Sequence, residues 1–140
     1  MTEEYDALMN NITWKLVKLP PGRKAIGSKW CYKIKQNSDG TVARYKAQLV
    51  AKGFTQKEGI DFTATYAPVA KFTTIRTALA LAALKNYNVK QLDISTAYLH
   101  ADIDTELYMT QPEGFEVLDE NGTPYVCQLL KSLYGLKQAG

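Results

Sequence analysis

Ile26-Gly-Ser-Lys-Trp-Cys-Tyr-Lys-Ile-Lys35, then Asn37-Ser-Asp-Gly40, then Val42-Ala-Arg-Tyr-Lys-Ala-Gln-Leu-Val-Ala-Lys-Gly-Phe54 is the stretch that decides the fold. Its first and last parts alternate with a period of two, the period at which side chains change face along a strand. Trp30, Tyr32 and Ile34 fall on one side, and Lys29, Cys31, Lys33 and Lys35 on the other. In the second run Tyr45, Ala47, Leu49 and Ala51 share a parity, and Arg44, Lys46, Gln48 and Lys52 share the opposite one. The Asp39-Gly40 pair between the runs is a hairpin-turn signal, because glycine supplies the positive φ a tight turn needs. The pattern predicts two antiparallel strands, Ile26–Lys35 and Val42–Phe54, in a long ribbon with one basic and one apolar-aromatic face. The basic face suits two readings. One is an ordinary solvated hairpin surface. The other is a surface that closes over a phosphate chain, where charge supplies affinity and carries no sequence information.

Upstream, Thr2–Asn10 reads as a short helix with Thr2 as its N-cap and acidic residues in its first turn. Trp14–Leu19 alternates weakly and stops at Pro20-Pro21-Gly22. Downstream, Gly59 and Pro68 punctuate a loop. Thr73 or Thr74 then caps a helix that runs to about Asn86, with Ile75, Ala78, Leu79, Ala82 and Ala83 as its inward stripe at helical spacing. A strand is expected over Tyr87–Ile94, a turn or short helix over Ser95–Leu99, and another strand over Ile103–Gln111. Pro112-Glu113-Gly114 breaks that strand. Asp119-Asn121-Gly122 turns between two more short strands, the second being Tyr125–Leu129, and Lys131–Leu136 forms a last turn around Gly135. The order of hairpin, helix, strand and hairpin predicts an α+β domain, with no repeat and no low-complexity tract.

The chain has 140 residues, enough for one domain with a core. Its net charge of +3 is unevenly divided. Residues 1–57 hold 11 Lys and Arg against 4 Asp and Glu, and residues 58–140 hold 6 against 10. A basic first half suits an anionic partner, although on composition alone a solvated charged surface is the simpler account. Cys31 and Cys127 are far apart and the chain has one histidine, so a zinc site is not expected. Both thiols are expected to be packed, as in a reducing, intracellular compartment, and no secretory signal precedes the helix. The longest aliphatic run, Ala78–Leu84, is too short to span a bilayer. Asn11–Thr13 and Asn121–Thr123 match the glycosylation sequon and are read as chance matches.

Val89-Lys-Gln-Leu-Asp-Ile-Ser-Thr-Ala-Tyr-Leu99 carries the chemistry. Alone, an Asp ending a strand is most often a turn or cap residue. Directly after the apolar Val89 and Leu92, however, Asp93 falls at the rim of a sheet, where a metal can reach it. Two-metal phosphoryl transfer needs hard oxygen ligands of that kind, and the carbonyl of Ile94 would add a neutral one. Tyr98, five residues on, would stand under an incoming sugar and exclude a 2′-hydroxyl by bulk; otherwise it is a core aromatic. In Ser132-Leu-Tyr-Gly-Leu-Lys-Gln-Ala139, Gly135 would let a base and nucleotide approach the backbone, and a helix C-cap glycine would look the same.

In order, the chain reads Trp14-x-Leu-Val-x-Leu-Pro-x-Gly22, Gly27-Ser-Lys-Trp30, Asp39-Gly40, and Arg44-Tyr-Lys-Ala-x-Leu-Val-Ala-Lys-Gly-Phe-Thr-Gln56. It continues with Glu58-Gly-Ile-Asp-Phe62, Ala67-Pro-Val-Ala-Lys71, Thr74-Ile-Arg76, Gln91-Leu-Asp93, Tyr108-Met-x-Gln-Pro-Glu-Gly-Phe115 and Leu133-Tyr-Gly-Leu-Lys-Gln-Ala139. This ordered set resembles the copia-type reverse transcriptases of LTR retrotransposons, over essentially the whole chain. The resemblance implies a single partial domain of a right-hand polymerase over residues 1–140. About 14–71 would be the fingers hairpin region, and about 72–140 the fingers helix and first palm portion. It implies RNA-directed DNA polymerase chemistry, a nucleotidyl transfer, with Mg2+ as cofactor. Template-primer RNA or DNA and deoxynucleotides would be the partners, with no membrane. By the same resemblance Asp93 is the catalytic metal ligand, with Ile94 beside it. Tyr98, Lys35, Arg44, Lys46, Tyr134, Gly135 and Lys137 are the nucleotide-binding residues.

The chain departs from that pattern in places. Gln48 stands where the family usually has Arg, Tyr98 where it has Phe, Ala101 where it has Gly, and Gly140 where it has Pro. No Asp-Asp pair occurs in the sequence, so the chain alone is expected to be inactive, because one aspartate does not hold two metal ions. Two other readings remain beside this one: a non-enzymatic nucleic-acid-binding module, and a degenerate transposon remnant.

Overall fold

The computed structural model describes residues 1–63, 65, 69–92 and 101–139. In it the chain is mixed α and β, with helix α1 (Thr2–Asn10), strands β1 (Trp14–Val17), β2 (Ser28–Gln36) and β3 (Val42–Ala51), helix α2 (Phe72–Leu84), and strands β4 (Asp102–Thr110) and β5 (Val126–Lys131). A single 3-10 turn, Gly53–Thr55, follows β3. The strands form two small antiparallel sheets, a ribbon β2-β3 and a three-stranded sheet ordered β1-β5-β4.

The alternation of the ribbon survives in its register. Trp30 faces Leu49, Tyr32 faces Ala47 and Ile34 faces Tyr45, while Lys33 faces Lys46 and Lys35 faces Arg44. The turn is built on Asp39, whose Oδ1 accepts the Thr41 N–H at 2.9 Å and the Thr41 hydroxyl at 2.6 Å, and Gly40 takes a φ of +84°. Thr41 hydroxyl donation, then Thr41 backbone donation, holds the Asp39 carboxyl below its ordinary value.

Only the root of the ribbon enters the core. Leu49 and Ala51 are buried there with Leu8, Trp14, Ile26, Leu107, Met109, Cys127, Leu129, Leu133 and Leu136. Ile26 joins the ribbon to the larger sheet, donating its N–H to Tyr108 at 2.8 Å and accepting that of Thr110 at 2.8 Å. Helix α1 closes the other side through Leu8, and Tyr5 stacks on Phe115 with ring centroids 4.1 Å apart. Trp30 completes the aromatic group, 5.9 Å from Phe115, with its indole N–H on the Glu113 carbonyl at 3.0 Å.

Several expectations are corrected. Neither helix has a side-chain cap: Met1 precedes α1 and Lys71 precedes α2, in place of Thr2 and Thr73 or Thr74. Helix α2 ends at Leu84 and Asn86 turns away at φ +51°, a left-handed conformation that asparagine tolerates at helix ends. No residue of α2 is buried, and Ile75 and Leu79 are 44% and 50% exposed. Phe72, Leu81 and Leu84 lie off the presumed stripe and are exposed too, so the helix is apolar around its circumference and no one face defines an inside. Tyr87–Leu92 form no strand, because no neighbouring segment pairs with them among the described residues; the rest of that expected strand and the Ser95–Leu99 turn lie outside those residues. Ahead of Asp119 there is a single bridge, Leu118 to Pro124, where a strand was expected. Of the two thiols, Cys127 is buried and Cys31 is half-buried on the ribbon.

Candidate nucleic-acid interface

The basic face of the ribbon is the first element of the site. Lys33 lies directly opposite Lys46, and Lys35 directly opposite Arg44. Like charges facing each other across a ladder destabilise it, so this arrangement needs an external anion or abundant water to offset it. Among the described residues none of the four forms an ion pair; the pairs found there are Lys18–Asp119 at 3.0 Å and Arg23–Glu106 at 2.6 Å. An open concavity of about 380 Å3 on this face is lined by Cys31, Tyr32, Lys33, Lys35, Lys46 and Gln48.

The second element is the turn that follows β5. It is fastened to the end of β3, where the Tyr134 carbonyl accepts the Ala51 N–H at 2.8 Å. Gly135 adopts φ +90°, and a Cβ there would lie 2.2 Å from the Ala51 carbonyl oxygen. A Cβ on Gly53 would lie 2.0 Å from the Gly135 carbonyl oxygen. The space beside Gly135 is therefore filled by the chain's own strand. Lys137 is exposed, and its N–H donates to Gln56 Oε1 at 2.8 Å.

Asp93, Ile94 and Tyr98 lie outside the described residues. Among the described residues, no group of three or more His, Cys, Asp or Glu could hold a metal ion. Of the expected nucleotide contacts, the structure gathers Lys35, Arg44 and Lys46 on one face of the ribbon and Tyr134, Gly135 and Lys137 in one turn at its root.

A smaller cavity of about 150 Å3 lies on residues 22–26, Thr55, Lys57, Ile60, Asp61, Glu106 and Tyr108. Its carboxylates are already engaged. Glu106 accepts the Tyr108 hydroxyl and the Arg23 guanidinium, and these two donors hold its carboxyl below the ordinary range. The Tyr108 hydroxyl is raised in turn, chiefly by that donation.

Residues 11–140 match the family model described as reverse transcriptase (RNA-dependent DNA polymerase). The chain belongs to the reverse transcriptase family. It is 53% identical over 139 residues to the retrovirus-related Pol polyprotein from transposon TNT 1-94 of Nicotiana tabacum, covering 99% of this chain and 10% of that protein. It is 45% identical over 140 residues to the corresponding polyprotein from transposon RE1 of Arabidopsis thaliana, covering 99% of this chain and 9% of that one. The truncated transposon Ty1-A Gag-Pol polyprotein of Saccharomyces cerevisiae is 35% identical over 144 residues, covering 99% of this chain and 11% of that protein. The chain is thus reverse-transcriptase sequence of the copia-type Pol polyproteins, and it spans about a tenth of the length of these relatives. No solved structure matches it. Among the described residues, no helix is long and apolar enough to cross a membrane.

Several family motif residues prove to hold the scaffold. Gln111 donates to the carbonyls of Val117 at 2.9 Å and Tyr125 at 2.8 Å, and its Oε1 accepts the Val117 N–H at 2.9 Å. One side chain thereby pins the loop between β4 and β5, and Phe115 of the same motif is the ring stacked on Tyr5. Gln56, Asp61, Gln111 and Gln138 all stand inside the sequence motifs, where nothing in the local pattern assigns them a role. A glutamine that closes a loop carries no local periodicity, so motif membership was its only signal.

Proposed function

We propose that this reverse-transcriptase chain is the fingers and first palm portion of a right-hand RNA-directed DNA polymerase, and that its ribbon is the face that meets nucleic-acid or nucleotide phosphates. The hairpin region would run over about 14–71 and the remainder over about 72–140. The observation that carries this reading is the ladder of Lys33 with Lys46 and Lys35 with Arg44, four cations stacked across two strands, none in an ion pair among the described residues even though Glu3 and Glu4 border one concavity with Arg44 and Lys46. A solvated strut gains nothing from that register, whereas a phosphate chain laid along it removes the repulsion and releases counterions.

In the complete site Asp93 would supply a hard oxygen ligand and Ile94 a carbonyl to magnesium, whose chemistry there is to neutralise and orient phosphate oxygens. Tyr98 would exclude a 2′-hydroxyl by bulk, selecting deoxynucleotides. Tyr134, Gly135 and Lys137 would border the template base and the incoming nucleotide. The chain contains no adjacent pair of aspartates, so the further carboxylates of a two-metal site would come from elsewhere in the polyprotein. Template-primer RNA or DNA is the partner this reading requires.

The test is a fluorescence-anisotropy titration of the chain with single-stranded oligonucleotides over a range of salt. The expected result is sequence-independent binding that weakens with salt, the logarithm of affinity falling by about 0.7 per phosphate contact for each logarithmic unit of salt. Charge reversal at Lys35, Arg44 and Lys46 should remove most of that slope. Equal binding by the triple variant, or no binding by the native chain at low salt, would return the ribbon to a solvated face.

A further inference from the structure

Two regions far apart in the sequence, 53–62 and 133–139, meet at one node. Gln56, only 8% exposed, stands after the 3-10 turn at the foot of β3. Its Oε1 accepts the Lys137 N–H at 2.8 Å while its Nε2 donates to Gln138 Oε1 at 2.9 Å. Gln138 Nε2 then donates to the Asp61 carbonyl at 3.1 Å, an oxygen that also accepts the Thr105 hydroxyl at 3.1 Å. Asp61 closes its own loop, its carboxylate accepting the Lys57 N–H at 2.8 Å. The stretches Gly53–Gln56, Lys57–Phe62 and Leu133–Ala139 are therefore one hydrogen-bonded unit. An amide is the side chain this geometry needs, because it presents an acceptor to one partner and a donor to the other at once.

The node lies beside the backbone contact of Gly53 with Gly135 and the Ala51–Tyr134 hydrogen bond. The backbone bond holds the near end of the turn, at Tyr134. Gln56 holds the far end, at Lys137 and Gln138. Strand β3 runs from these anchors directly into the basic ladder. Mutually hydrogen-bonded side chains of this kind, here part-buried around Gln56, favour one arrangement of the elements they join.

We propose that Gln56 is a positioning residue, fixing the Tyr134–Lys137 turn to the root of β3 so that a phosphate chain held on the ladder restrains the turn as well. The second half of this statement rests on the ribbon being a phosphate-binding face. The first half stands on the hydrogen bonds alone.

The experiment is amide hydrogen exchange, read by NMR at Lys137, on the 140-residue chain with and without saturating oligodeoxythymidine. In the free chain Gln56→Ala should speed exchange at Lys137 by about five- to tenfold, the factor carried by one net hydrogen bond. Gln138→Ala keeps the Gln56 acceptor and should leave Lys137 protected. Oligodeoxythymidine should slow Lys137 further in the native chain and should bind Gln56→Ala without that slowing, a difference that a general loss of stability would not produce. Unchanged exchange in Gln56→Ala, or equal slowing by the oligonucleotide in both chains, overturns the proposal. If the oligonucleotide fails to bind the native chain, the ribbon reading falls with the coupling, and the free-chain comparison still decides the positioning role. Should Gln56→Ala not fold, Gln56→Glu retains the acceptor; native-like protection of Lys137 there supports the proposal, and lost protection refutes it.

Discussion

Substituting Gly135 by alanine tests the packing of the turn most directly. Two costs add. A residue with a Cβ at φ +90° pays about 1–2 kcal/mol for the left-handed backbone. The new methyl would then sit 2.2 Å from the Ala51 carbonyl oxygen and 2.6 Å from Val50 Cγ1. Neither is the end of a long flexible side chain, so β3 itself must shift, at about 1–3 kcal/mol for overpacking. The Ala51–Tyr134 hydrogen bond is at risk in the same shift, worth about 1 kcal/mol more. The expected loss is therefore about 3–6 kcal/mol, a large share of the roughly 5–15 kcal/mol that holds a domain together. Gly40→Ala is the matched control, since Gly40 has φ +84° and no atom within 4 Å of its would-be Cβ; it should lose about 1–2 kcal/mol. Urea unfolding of the two variants and the parent gives the comparison. Losses within about 1 kcal/mol of one another, smaller than the packing cost assigned here, would refute the close-approach argument.

Gln111→Ala should cost about 1–3 kcal/mol, because it strands the Val117 N–H and the Tyr125 carbonyl, while the Val117 carbonyl keeps the Tyr125 N–H; hydrogen exchange should rise first between Pro112 and Tyr125. Burial pushes the Cys127 thiol up to about 12, so near pH 8 a thiol reagent should label half-buried Cys31 readily and Cys127 only on unfolding. The Asp119 carboxyl is held below its ordinary value of 3.8, first by the Thr123 N–H and then by Lys18. With a depressed folded value, its contribution is present above the ordinary range and fades as pH falls through the folded value. Asp119→Asn should therefore flatten the dependence of stability on pH below about 4, and an unchanged acid limb would exclude the linkage.

The hairpin was legible because its two strands repeat one binary pattern and an Asp-Gly pair marks the reversal, so the faces followed from local sequence; the bounds did not, since Ile26 pairs with Met109 and Gly53–Thr55 is a 3-10 turn. Helix α2 was legible as a helix, and its buried face was not, because Phe72, Ile75, Leu79, Leu81 and Leu84 surround it and no stripe wins. The strand expected over Tyr87–Ile94 shows the opposite error. An apolar run suits a strand, but a strand exists only where another segment bonds to it, and that is a property of the fold. The caps failed for a similar reason. Thr2, Thr73 and Thr74 are suitable residue types, yet α1 begins at Thr2 itself and α2 at Phe72, so each threonine falls inside its helix. On the site, charge parity on the ribbon was readable, while the reach of Gln56 to Lys137, across 81 positions, leaves no trace in any window of sequence.

The cationic ladder also bears on how copies of this sequence age. Every directly opposed pair of like charges keeps the ribbon a few tenths to about 1 kcal/mol less stable than it need be. A copy under selection for folding alone would gain by replacing one member of Lys33–Lys46 or Lys35–Arg44 with threonine or glutamate, and drift meets no resistance on that path. On the proposed reading of the ribbon as a phosphate-binding face, opposite-sign exchanges at those four positions should therefore accumulate in lineages released from that role. Their frequency among related sequences is a clock for that release, readable whether or not the catalytic motif has decayed.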